Sequence, residues 1–383
     1  MASSLLMNCS VVLPDTNAVG SIAVEDGRIK RITNQKTFAD EYFDLGYLTV
    51  FPGFIDIHNH GAVGVDVNTA DVDGFHAVSE FLIKKGVTGW VPTLVPDAVG
   101  VYERTVKALE TWRSKIAAKC AARVVGVHYE GIFANKVYCG ALRPEYFREF
   151  TGTEIDDLPR LTEAKHIMTL APEINGGIEL VEKLAEQNWV ISLGHTMADY
   201  DTLERAVGAG ASHLTHFFNA MTGLEHRDPG VALWGLINKD VTFDIIADGI
   251  HVNPLMLKFA IAIKSPDRVS LISDSVAPTG LGDGEFELWG NPLTVTNGVT
   301  ANAEGTLSGS VITVYDAFNR MRALGFTDQE VANMTSLNPA RILGIDGECG
   351  SLEVNKRADI VAVDKTGEIR FVMLEGKVVY SDI

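Results

Sequence analysis

The sequence predicts an α/β fold: a (β/α)8 barrel of the TIM type with a small β-sandwich domain formed by both chain ends. Three observations carry this. Eight apolar, strand-like runs alternate with mostly helical patterns through the middle of the chain, both ends read as short strands joined by tight turns, and no G-x-G-x-x-G or Walker pattern follows any strand. The 383 residues, 46% hydrophobic and 21% charged with 36 glycines, suffice for one large and one small unit with a substantial core. The expected boundaries are 1–50 with 345–383 for the small domain and 51–344 for the barrel.

Taken in order, the stretch from Ser10 to about Val50 shows short alternating strands with turn signals at Pro14-Asp15-Thr16-Asn17 and Glu25-Asp26-Gly27-Arg28. Its partner is the far end of the chain, where 358–364 and 371–380 are again strand-like and Glu375-Gly376 marks a turn. The first barrel strand is the run Phe54-Ile55-Asp56-Ile57, bounded by Pro52-Gly53 and ending in His58 and His60. Seven further strands are expected at 88–95, 124–130, 166–173, 190–195, 213–219, 242–249 and 269–274. Helical patterns such as Gly177 to Gln187 and Asp199 to Ala209 separate them.

The formal charge of −18 argues against nucleic acid or an anionic membrane surface as partner, so an anionic substrate needs a local positive cluster. Cys9, Cys120, Cys139 and Cys349 show no paired spacing and read as reduced thiols. The first 13 residues carry no Lys or Arg and are interrupted by Asn8 and Ser10, which makes a poor signal peptide. No apolar run reaches membrane-spanning length, and a cytoplasmic location is expected.

Barrel strands converge on one mouth at their C-terminal ends. There the first strand delivers His58 and His60, two residues apart and so on one face. The third brings Glu130, the fifth His195, the sixth His216 and the eighth Asp274. One His-x-His pair is a weak signal, whereas four imidazoles and two carboxylates at equivalent places predict a metal site, with ligand softness favouring Zn²⁺ or Fe²⁺ over Mg²⁺. His213, an odd number of residues from His216, is expected to face away. His128 lies one layer deeper with a core hydrogen bond, and His76 and His166 read as structural.

These residues resemble the amidohydrolase superfamily nearly end to end. The run Pro52-Gly53-Phe54-Ile55-Asp56-x-His58-x-His60-Gly61 is shared widely. More specific are Leu170-Ala171-Pro172-Glu173, Gly194-His195-Thr196, 215–221, His226-Arg227-Asp228-Pro229-Gly230, 246–252, Ser273-Asp274-Ser275 and 305–310. The specific motifs are similar to those of the branch that deacetylates amino-sugar phosphates. That resemblance implies removal of the acetyl group from N-acetylglucosamine 6-phosphate, giving glucosamine 6-phosphate and acetate. It also implies that Glu130, His195 and His216 hold one divalent metal, that His58 and His60 allow a second with Glu130 between, and that Asp274 is the catalytic base and acid. For the phosphate it implies Asn219, the Ala220 backbone, Arg227 and His251, the last two contributed across a homodimer interface. Ala141, Leu142, Asp248, Leu307, Ser308 and Gly309 complete the implied substrate contacts.

The match departs on the substrate side. Glu130-Gly131-Ile132-Phe133 and Gly140-Ala141-Leu142 stand where the family tends to have Glu-Gly-Pro-Phe and Gly-Ala-His, and Leu142 has no hydrogen-bonding group; Arg143 beside it is a candidate substitute. Glu225 replaces a common second His, and Asn355 stands where Gly is usual in the closing strand pair. N-acetylgalactosamine 6-phosphate or another N-acyl substrate is therefore an alternative. Dihydroorotase and hydantoinase relatives carry a Lys where this chain has Ala171-Pro172-Glu173, and deaminase relatives follow the sixth-strand His with a Glu. A metal-free, non-catalytic paralogue is the reading from another class.

Overall fold

The computed structural model describes residues 3–35, 37–115 and 120–383; residues 1–2, the start of the expected N-terminal β unit, lie outside the described residues. All eight expected barrel strands form: Phe54–Asn59, Val87–Leu94, Gly126–Phe133, Lys165–Leu170, Val190–Leu193, His213–Leu214, Thr242–Ile246 and Val269–Ile272. Each pairs in parallel with the next. The barrel closes where the last strand meets the first. Asp274 N donates to His58 O at 3.0 Å, His60 N donates to Ser275 O at 2.8 Å, and Ser273 Oγ donates to the buried Asp56 carboxylate at 2.6 Å. The strands are apolar and buried on both faces, which is why they read as continuous hydrophobic runs rather than alternating ones.

The helices start where their caps dictate. Asp71 accepts from Gly74 N ahead of Val72–Lys84, and Asp199 accepts from Thr202 N ahead of Tyr200–Ala209. Asn253 caps Pro254–Lys264, whose first residue is a proline with no N–H to satisfy. After the third strand no α-helix follows. The chain instead crosses the mouth in two 3₁₀ turns, Lys136–Tyr138 and Pro144–Tyr146. A second departure from the repeat is an antiparallel meander, Gly284–Leu288, Asn291–Thr296 and Val299–Asn302, inserted after the eighth strand. Among the described residues no helix is long and apolar enough to cross a membrane.

Strands from the two chain ends form the second sheet, in the order 377–381, 369–374, 360–363, 49–52, 3–12, 17–25 and 28–33, with 41–44 also on 3–12. The strand Ser3–Val12 has a register break between Leu6 and Cys9, and Asn8 within it adopts φ +54°. That bulge redirects the strand, so its first half pairs with Glu41–Asp44 and its second with Thr49–Pro52. The sheet encloses its own core of Leu6, Val11, Ile22, Val50, Ile360 and Phe371. Two of the three turns read from sequence are two-residue hairpins, Asp26-Gly27 and Glu375-Gly376, with positive φ at all four residues. Asn355, in place of the usual Gly, takes φ +75°.

One buried carboxylate ties this sheet to the barrel. Asp359, 5% exposed, accepts both oxygens' worth of contact from Arg123 Nη1 at 3.1 Å, Arg357 Nε at 3.0 Å and Glu375 N at 2.9 Å. Replacing it leaves the Arg357 guanidinium unpaired and Arg123 with Glu375 alone. Asp359→Ala is therefore expected to cost roughly 2–4 kcal/mol in denaturant unfolding. A loss below about 0.5 kcal/mol, the range of an ordinary surface change, would show that the junction contributes nothing.

Candidate active site

The barrel brings all six predicted residues to one point. His58 and His60 leave the first strand on the same face, with their Nε2 atoms 3.1 Å apart. Glu130 stands in the centre: its Oε1 lies 3.3 Å from His58 Nε2, 3.2 Å from His195 Nε2 and 3.0 Å from His216 Nε2, and its Oε2 lies 3.2 Å from His60 Nε2. Asp274 Oδ1 closes the ring at 3.4 Å from His58 and 3.1 Å from His60. His195, His216 and Asp274 all have left-handed backbone, φ +50°, +32° and +48°. Each sits just past a strand end, where the chain turns across the mouth, and such conformations in non-glycine residues cost on the order of 1 kcal/mol or more.

A buried charged set of this kind demands compensation. Burial pushes the Glu130 carboxyl upward, but His58, His195 and His216 outweigh it and hold it well below the ordinary range; Asp274 is lowered the same way by His58 and His60. Burial opposes charge on His60 and His216, yet hydrogen bonds to the carboxylates raise them to about 10 and about 9. The donor set fits a divalent cation, which supplies the same positive charge without protons. His195 and His216 also bring their Nε2 atoms to 3.1 Å, and two lone pairs aimed at one point are satisfied by a shared cation rather than by each other.

The tautomers agree with that reading. His195 Nδ1 lies 2.8 Å from Tyr138 O and His60 Nδ1 3.2 Å from Thr93 O, so these nitrogens donate and leave Nε2 free to ligate. Two triads, His58/His60/Asp274 and Glu130/His195/His216, have the geometry to hold an ion, and Glu130 lies between them. The outer layer holds them in place. His128, held well below the ordinary imidazole range by burial, packs against the His58 ring and bonds to Thr169 Oγ1 at 2.7 Å. Asp244 Oδ1 accepts from His216 N at 2.5 Å, and its Oδ2 meets His213 Nε2 at 3.0 Å. His213 thus faces away from the cluster, as its spacing predicts, and supports it through Asp244.

Above the cluster lies a cavity of about 290 Å³. Ala141, Leu142, Asn219, Ala220, Leu307 and Gly309 line it, whereas Ser308 faces an adjoining cavity. Three further residues are placed as follows. His251 lines this chain's own cavity, because Asp248 accepts its Nδ1–H at 2.7 Å and the backbone N–H groups of Ile250 and His251 at 2.8 Å, folding the loop back. Asp248 itself stays behind His251 and does not line the cavity. Arg143 does not stand in for the missing donor beside Leu142, since it is bound to Asp97 at 2.7 Å and to Pro96 O at 3.0 Å and lies over the Tyr146 ring.

Arg227 is exposed on a loop outside the cavity, where Glu225 accepts from its N–H. Leu142 packs directly on Gly131, where an added Cβ would come within 2.3 Å of Leu142 Cδ1. Two residues escaped the sequence reading. Asp244 lies within an apolar strand with no motif around it. Trp289, in the inserted meander, lines the cavity with its ring 5.4 Å from that of His60.

Fold and site together define the class, a parallel-barrel hydrolase with a divalent-metal centre. The chain belongs to the amidohydrolase family, whose model matches residues 49–379. It is 35% identical to an N-acetylgalactosamine-6-phosphate deacetylase of Escherichia coli O157:H7, over 85% of this chain and 86% of that protein. It is 32% identical to the N-acetylglucosamine-6-phosphate deacetylase of Bacillus subtilis, over 99% and 98%. Among solved structures it is similar to the N-acetylglucosamine-6-phosphate deacetylase of Thermotoga maritima, with TM-score 0.89, 28% identity and coverage of 98% and 99%. A Mycobacterium smegmatis deacetylase in complex with N-acetyl-D-glucosamine-6-phosphate superimposes at TM-score 0.90 with 28% identity over 100% of both chains.

Removing Glu130 takes the shared oxygens from both triads. Glu130→Ala is expected to lose most of its bound metal by elemental analysis. Chelation of the unaltered protein is expected to lower its melting temperature by several degrees, reversibly, because a metal at about 1,000 times its Kd adds about 4 kcal/mol. Equal metal content in both proteins would sink this assignment.

Proposed function

We propose that this protein hydrolyses the acetamide of N-acetylglucosamine 6-phosphate, releasing acetate and glucosamine 6-phosphate. The observation that carries the reading is the Glu130-centred pair of triads with Asp274 at its edge, set beneath a cavity bounded by Asn219, Ala220 and His251. Zn²⁺ or Fe²⁺, one or two per subunit, would be held by His58, His60, Glu130, His195 and His216, and when bound supplies Lewis acidity towards water and the amide carbonyl. Asp274, its carboxyl held below the usual range, is ionised at neutral pH and takes the proton of the attacking water. The new bond forms between that oxygen and the carbonyl carbon. Asp274 then returns the proton to nitrogen as the C–N bond breaks, because an unprotonated amide nitrogen is a poor leaving group.

The phosphate would lie against the Asn219 amide, the Ala220 backbone and His251, with Arg227 brought from a second copy of the chain. The exposed face of Pro254–Lys264 supports a homodimer: Leu255, Phe259 and Ile263 recur every fourth residue at 77%, 43% and 53% exposure, just beyond His251. Arg suits a phosphate through its fork of donors and supplies positive charge that the chain otherwise lacks. A cytoplasmic setting fits the four unpaired thiols. N-acetylgalactosamine 6-phosphate is the second reading, favoured by Leu142, which removes a hydrogen-bonding group from the sugar's surroundings.

Amine release from both sugars, measured in parallel after metal reconstitution, tests this. Asp274→Asn is expected to lower kcat on the order of 10²- to 10⁴-fold while keeping its metal. The ratio of kcat/KM for the two sugars identifies the epimer. Wild-type protein that releases amine from neither would remove the sugar assignment, and undiminished turnover by Asp274→Asn would remove the proton role.

A further inference from the structure

The inserted meander contains an anomaly. Five hairpins among the described residues use two-residue loops with both residues at positive φ: Asp26-Gly27, Val63-Gly64, Trp289-Gly290, Asn297-Gly298 and Glu375-Gly376. Such loops favour Asn, Asp or Gly at the first position. Three of the five have a polar residue there; Val63, at φ +48°, and Trp289, at φ +52°, do not, and of these two only Trp289 lines the catalytic cavity. A bulky side chain in left-handed backbone points to a purpose other than the turn itself.

The surroundings of Trp289 identify that purpose. The meander packs through Leu288 and Leu293 on Val276, two residues beyond Asp274, so the hairpin tip is held in register with the reactive carboxylate. The indole edge meets His60, and the residue forms part of the wall between the catalytic cavity and an adjoining one of about 320 Å³. Leu142, which has no polar atom, lines both cavities beside it. The indole Nε1–H is buried and has no hydrogen-bond partner among the described residues, as is also so for Trp112 and Trp189, but of the three only Trp289 lines the cavity. An unmet buried donor is costly, and Trp N–H groups ordinarily find partners.

We infer that Trp289 is a substrate-binding residue, whose Nε1–H is satisfied by an oxygen of the bound amino-sugar phosphate in place of the donor that Leu142 lacks. The inference rests on the amino-sugar-phosphate reading. It assigns the donor to the meander, an element outside the barrel repeat, so that the sugar is read from the strand-eight side of the mouth.

Trp289→Phe keeps the ring and removes the N–H. Its kcat/KM is expected to fall about 2- to 10-fold, mostly through KM, as for one neutral hydrogen bond, with metal content and melting temperature unchanged. Trp289→Ala is expected to fall further. The unaltered protein provides a check that does not depend on a variant folding: of the indole N–H signals of its five tryptophans, one moves downfield when glucosamine 6-phosphate is added. Wild-type turnover with an unchanged KM in Trp289→Phe, or with no shifted indole signal, would overturn the inference alone. Absence of wild-type turnover on either sugar would overturn the substrate reading, and the inference with it.

Discussion

The interaction on which the rest depends is the burial of the Glu130 carboxylate among four imidazoles. In a low-dielectric barrel mouth a carboxylate stays ionised only when positive charge surrounds it. Three strands and the loops after them bring His58, His60, His195 and His216 to that carboxylate, each within 3.3 Å. The same crowding would be unfavourable between neutral rings. A divalent cation resolves both problems at once, so the geometry is that of a metal centre rather than of a chance cluster.

Holding such a cluster requires that the strand ends be specified closely. The barrel closes through contacts that also position the site: the N–H of Asp274 bonds to the carbonyl of His58, and Ser273 bonds to Asp56, two residues before His58. Three of the six residues adopt left-handed backbone, and for His216 the pair Asp244–His213 secures the peptide N–H beneath. The strain is local, and the surrounding sheet and helices over-determine it.

Selectivity has a separate structural origin. Part of the cavity wall is built from the 3₁₀ loop after the third strand and from the meander after the eighth, two places where the chain departs from the barrel repeat. Leu142 on one and Trp289 on the other line both the catalytic cavity and the adjoining one. Arg143 anchors its loop to Asp97 instead of facing the cavity. The metal-ligand cluster is thus built from the barrel strands, while elements laid across the mouth shape the cavity above it.

Much of this was legible in the sequence. The eight strands were visible as buried apolar runs, the turns at Asp26-Gly27 and Glu375-Gly376 as local chemistry, and the six cluster residues as polar groups ending those runs. Each signal is local, within the two-residue period of a strand or the two positions of a turn, so one chain suffices to read it. The meander strands are short and largely exposed, with no continuous apolar run, and they passed unread. The destination of His251 was also hidden, because it depends on how Asp248 folds one loop. The sequence by itself determined the fold class and which residues could carry the chemistry, since hydrophobic periodicity places side chains on faces. Only the tertiary structure decided which atoms meet. Glu130 Oε1 and His216 Nε2 are 86 residues apart in sequence and 3.0 Å apart in space, and Trp289 reaches His60 from across more than half the chain, through barrel closure and loop packing that no local pattern encodes.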